Sequence, residues 1–105
     1  MNNRGMSSVQ VVVVENDVHF TLNELGRACQ VDVGQLILLV DEGILAPIND
    51  GPERWRFAGA ELRRARLALR LKRELELHVS GVALVIDLLD QIDGLRARLR
   101  RAGLH

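Results

Sequence analysis

The sequence predicts a mainly α fold: a winged helix-turn-helix with a small β-hairpin wing and long C-terminal helices. Three observations predict it. Two helix-start signals, Thr21-Leu22-Asn23-Glu24 and Asp32-Val33-Gly34-Gln35, follow one another closely. A turn-rich stretch, "ILAPINDGPERWRF" (44–57), comes next, and two runs of strong helix formers complete the chain.

Each element has its own signal. Residues 1–8 read as an irregular start. "VQVVVVE" (9–15) is short and β-branched, as a strand requires, and "END" (15–17) is a turn. Thr21 opens the first helix through a capping box, in which its hydroxyl accepts from the Glu24 amide and the Glu24 carboxylate accepts from the Thr21 amide. Leu22, Leu25 and Ala28 keep helical spacing, and Gln30-Val31 breaks it. Asp32 and Gln35 form the second capping box. The second helix runs to about Glu42, with Gly43 as its left-handed terminator. Two short helices joined by so few residues make a helix-turn-helix. Pro47, Asp50-Gly51 and Pro52 then predict a hairpin, the wing, with the strand at 9–14 pairing along its outer arm.

"AELRRARLALRLKRELEL" (60–77) alternates locally at Leu67, Leu69 and Leu71, yet Leu, Arg, Ala, Glu and Lys are the best helix formers and no β-branched residue interrupts them, so a helix is expected. "HVSG" (78–81), with Ser80 as cap, separates it from a last helix. There Val85, Leu88, Ile92, Leu95 and Leu99 step by three and four, a heptad seam about two repeats long. Three segments result: 1–18 with the short strand, 19–79 as the winged core, and 80–105 as an interaction or dimerisation helix.

A chain of 105 residues suffices for one self-supporting core. Net charge is zero but polarised. Residues 1–53 carry two bases against eight acids, and 54–105 carry twelve against six. One Trp, two Phe and no Tyr leave little for base stacking. Cys29 stands alone, the start lacks a secretory apolar region, and the longest apolar runs are too short for a bilayer. A cytoplasmic protein is expected.

Catalytic signals are missing. There is no Gly-rich phosphate loop, and His19, His78 and His105 have no ligand-spaced neighbours. Cys29 has no nearby His and reads as a packed small residue. Asp87, Asp90 and Asp93 can be read as acid–base groups, but a solvated acidic face explains them more simply. No enzyme, cofactor or metal is expected.

The order of elements resembles the MerR-type regulator domain, carried by "F-T-x-x-E-L" at Phe20–Leu25, "G-I-L-x-P" at Gly43–Pro47 and Arg56 in the wing. "RLKRELELHVSGVALVIDLLDQI" (70–92) and the wing's Trp55 and Phe57 are more closely similar to the CbpM-like chaperone-modulator family. That resemblance implies a small adaptor that binds and inhibits the J-domain of a DnaJ-like, curved-DNA-binding co-chaperone. MerR-type regulators also imply antiparallel dimers through their terminal helices.

The second helix departs from the DNA-binding pattern. "VDVGQLILLV" (31–40) holds no Lys or Arg, and Gln35 is its one candidate for reading bases. Leu36 and Leu39, with Ile44 beyond, are spaced to enter the core. Ile37, Leu38 and Val40 are then either covered by the strand at 9–14 or the last helix, or form a second, protein-binding patch. A J-domain presents a basic helix, so the expected partner-binding set is Asp87, Asp90, Asp93, Glu74 and Glu76, with Val82, Ile86 and Leu89 as apolar anchors. The seam of Val85, Leu88, Ile92, Leu95 and Leu99, acidic in its first half and basic in its second, suits an antiparallel homodimer. The alternative is a MerR-type DNA-binding transcription regulator, supported by the fold and by Arg63, Arg64, Arg66, Arg70, Lys72 and Arg73; their scatter around the helix makes DNA an unlikely partner.

Overall fold

The helices read from the sequence are present in the same order in the computed structural model, which describes residues 18–103, though not every start and stop signal is met. The expected strand at 9–14, its turn at 15–17 and His105 lie outside the described residues. The first described element is β1 (His19–Thr21), followed by α1 (Leu22–Cys29) and α2 (Val33–Asp41). A 3-10 turn (Pro52–Arg54) leads into β2 (Arg56–Ala58), and α3 (Gly59–Glu74) and α4 (Val79–Arg101) complete the fold.

The capping box at Thr21 is formed as expected. Glu24 N donates to Thr21 Oγ1 at 3.0 Å, and Thr21 N donates to Glu24 Oε1 at 2.8 Å. These bonds favour the ionised carboxylate and hold the Glu24 pKa below its usual value. The second box is not formed. Asp32 occupies the N-cap of α2, but its side chain makes no capping bond, and Gln35 N donates instead to the Asp32 carbonyl.

Both helices of the helix-turn-helix end in a left-handed residue. Gln30 closes α1 at φ 58°, and Gly43 closes α2 at φ 77°. Val31 N and Ile44 N reach back to Gly26 O and Leu39 O, satisfying carbonyls the helix leaves open. Gly26 lets the turn close. A Cβ there would lie 3.2 Å from Val31 O and 3.3 Å from Val33 Cγ1.

The wing's returning strand β2 pairs antiparallel with β1, Phe20 opposite Phe57. The wing loop itself is closed by Ile48 N donating to Arg56 O and by Arg56 N donating to Asn49 Oδ1. Gly51, at φ 87°, makes its turn. Helix α3 stops at Glu74, earlier than the sequence suggests, because Glu76 turns left-handed and Leu77 N bonds back to Lys72 O. His78, rather than Ser80, is the N-cap of α4; its ring accepts from Ser80 N.

One core joins all of this. Leu25, Leu36, Leu39, Ile44, Leu45, Trp55, Phe57, Ala65, Ala68 and Leu69 meet Val79, Val82 and Ile86 from the first turns of α4. Trp55 and Phe57 pack edge to face at 6.0 Å. Beyond Ile86, α4 leaves the core. Residues 87–101 project about 22 Å at 1.5 Å per residue.

Candidate interaction surface

The face of α2 that a DNA reader would present is made of whatever the core does not take. Leu36 and Leu39 are buried, as their spacing requires. Gly34, Gln35, Leu38 and Asp41 point outward, with Glu42 just past the helix end. Direct readout and phosphate contact need donors and positive charge, and this face offers one amide and two acids. Arg56, the wing arginine, donates to its own loop's carbonyls, Arg54 O at 3.3 Å and Trp55 O at 3.0 Å. Ile37 and Val40 are half-buried against the core, so Leu38, 45% exposed, is the open part of the second patch.

The apolar anchors expected on α4 need correction. Val82 and Ile86 are 0% and 2% exposed. Their spacing from Val79 places all three on the stripe facing the core, and no partner touches a side chain so enclosed. Leu89 remains available. So do Leu88, Ile92, Leu95 and Leu99, each between 41% and 55% exposed, while Val85 is half-buried at the start of the row. At about 100° per residue, this row lies well to one side of the inward stripe, whereas Asp93 continues the stripe seven residues past Ile86, with Asp90 and Asp87 stepping away to its other side.

The acidic candidates differ in how much is already bound. Asp90 takes both guanidinium nitrogens of Arg64, at 2.9 and 3.4 Å. That hydrogen bonding holds the Asp90 carboxyl below its usual pKa and raises Arg64 above its own. Asp87 accepts from Gln91 Nε2 at 2.9 Å, one turn along the helix, and Asp93 is exposed. Glu74 lies 4.0 Å from Arg73, and Glu76 is exposed in the bend between α3 and α4. The structure therefore gathers Asp87, Asp90 and Asp93 along one side of the projecting helix and leaves Glu74 and Glu76 at the other end of the α3–α4 connection.

Two features escape the sequence reading. Arg64 also donates from Nε to Ile44 O at 2.6 Å, and Glu61 accepts from Ala46 N at 2.9 Å, so α3 clasps the segment after α2 while holding α4. The signal was Arg64's place on the opposite side of α3 from Arg63, Arg66 and Arg70. Leu84, 60% exposed, is the other; it stands off the core stripe and, one turn before Leu88, extends the exposed row toward the start of α4.

Cys29 is partly enclosed, and burial pushes its thiol pKa up. Among the described residues no cluster of His, Cys, Asp or Glu is placed to hold a metal ion, and no helix is long and apolar enough to cross a membrane.

Residues 20–102 match the family described as MerR HTH family regulatory protein. A Coxiella burnetii (strain Dugway 5J108-111) protein named chaperone modulatory protein CbpM is 30% identical over 92 residues, which cover 88% of this chain and 87% of the relative. Proteins of the same name from Pseudomonas putida (strain GB-1) and Pseudomonas entomophila (strain L48) are 34% and 32% identical over 80 residues, covering 76% of this chain and 79% of each relative.

Proposed function

The chain belongs to the MerR-type helix-turn-helix family, in its CbpM-like chaperone-modulatory branch, and from that membership we propose that it is an adaptor that modulates a chaperone system by binding and inhibiting the J-domain of a DnaJ-like co-chaperone. The observation that carries the reading is the projecting half of α4. Acidic side chains and exposed leucines share a helix that, among the described residues, is tied to the core past Ile86 by the Arg64–Asp90 pair, and such a surface suits a basic amphipathic helix. Asp87 and Asp93 steer and orient that helix, and Leu89 supplies apolar contact. Asp90, already held by Arg64, fixes α4 rather than leading the encounter. Covering the partner's basic helix blocks its use by an Hsp70. Leu38 with Asp41 and Glu42 offers a second acidic and apolar contact on α2.

The test is titration calorimetry with an isolated J-domain from the same organism. Exposed ion pairs contribute about 0.2–1 kcal/mol each, so Asp87→Ala with Asp93→Ala should weaken binding roughly 2- to 30-fold. Added salt should slow association. Equal affinity for wild type and variant would remove the acidic face from the mechanism, and absence of binding would remove the J-domain.

The row of Leu88, Ile92, Leu95 and Leu99 is a separate contact, for a second copy. An antiparallel pairing through this row lays the acidic first half of one helix alongside the basic second half of the other. DNA reading is the disfavoured alternative, since the outward face of α2 is acidic.

A further inference from the structure

Arg63, Arg66, Arg70 and Arg73 recur at steps of three and four, and the fold brings them to one face of α3. They line a single groove of about 420 Å³ together with Cys29 at the end of α1 and with Leu67 and Leu69. A neighbouring hollow of the same volume, lined by Val31, Gln35, Leu69, Lys72 and Arg73, extends it toward the start of α2. None of the described residues lining either is acidic, and none comes from α4.

The arrangement works against the helix that carries it. Arg63 with Arg66, Arg66 with Arg70, and Arg70 with Arg73 are like charges one turn apart, and such pairs destabilise a helix by about 0.2–0.5 kcal/mol each. Within the fold, Arg66 reaches the Ala28 carbonyl at 3.4 Å, and Arg73 meets Glu74 only at 4.0 Å.

We infer that this groove is a second docking surface and that its occupant is an acidic amphipathic helix of a protein partner. Two features select that chemistry. The arginines repeat at the pitch of a helix, so carboxylates one turn apart on an opposing helix meet them in register, and guanidinium groups take carboxylates two bonds at a time. The floor between them is apolar, Leu67 and Leu69 with the Cys29 side chain, which gives a leucine column something to cover. A phosphodiester backbone has no use for such a floor, and a duplex spread over this region would meet the acidic outward face of α2. The groove lies away from the aspartates of α4. The chain then carries two faces of opposite charge, able to hold a basic and an acidic element together. The inference does not depend on the identity of the partner at α4.

The test uses the full chain and a fluorescein-labelled synthetic peptide of about 20 residues, long enough to become helical, with Glu in one helical column and Leu in the adjacent one. Anisotropy should show binding that weakens with salt. Arg66→Gln with Arg70→Gln and Arg73→Gln should lower the affinity at least tenfold, and Arg54→Gln in the wing should leave it unchanged. Circular dichroism confirms that both variants fold. A peptide of the same composition with Glu and Leu scattered around the helix should bind at least tenfold more weakly. The assignment is overturned if the ordered peptide shows no saturable binding, if the groove variant binds like wild type, or if a short duplex or single-stranded DNA binds the groove more tightly than the peptide.

Discussion

Asp90 is engaged within the molecule before any partner arrives, and acid should reveal it. Its pKa is depressed in the folded state by the hydrogen bonds from Arg64. A depressed carboxylate stabilises the fold above its unfolded pKa, and that contribution is lost as pH falls below about 4. Urea midpoints measured at pH 3 and pH 7 should therefore differ less for Asp90→Asn than for the wild type. Gly94 behaves in the opposite sense. It sits inside α4 with open space around its Cα, so Gly94→Ala should raise stability by about 0.5–1 kcal/mol, the usual cost of a mid-helix glycine, without changing oligomeric state. Thr21→Ala should lower stability by about 0.5–2 kcal/mol through the lost cap. Both shifts are readable as changes in denaturation midpoint.

Helix α3 shows how far an element can be read from its letters. Its helicity was legible, because propensity and the absence of β-branched residues agree. So were the helix-turn-helix, the Thr21 cap and the inward Leu36 and Leu39, all set by short-range spacing. Its end was not legible, since Glu76 turning left-handed depends on how α4 packs. The partners of Arg64 were likewise hidden, because helical spacing sets it apart from its arginine neighbours but does not say on which side the next helix will lie. The same limit applied to α4, where Val82 and Ile86 differ from Leu88 and Ile92 only in what the fold sets beside them. A prediction follows for the arginine row. Arg66→Glu replaces two repulsions with attractions to Arg63 and Arg70, a swing of about 0.8–2 kcal/mol over the two pairs, set against the loss of the long bond to the Ala28 carbonyl. Thermal unfolding should show a more stable protein, although the substitution removes a base from the groove.

The whole molecule is a small core with one helix reaching beyond it, and its assembly turns on that reach. Ile92→Asp puts a charge near the middle of the exposed row, so sedimentation should show a dimer becoming a folded monomer; a wild type that is already monomeric at about 100 μM, well above the range of specific association, would count against pairing. Another property follows from α2. The residues that hold it in place, Leu36 and Leu39, and those it shows to the outside, Gly34, Gln35, Leu38 and Asp41, are disjoint sets. Surface changes away from such structural supports usually alter stability by less than about 0.5 kcal/mol. The outward set is thus free to be rewritten by drift or by design while the scaffold stays intact. A scaffold of this kind can exchange one class of recognition for another through a few substitutions, with folded forms at every step between.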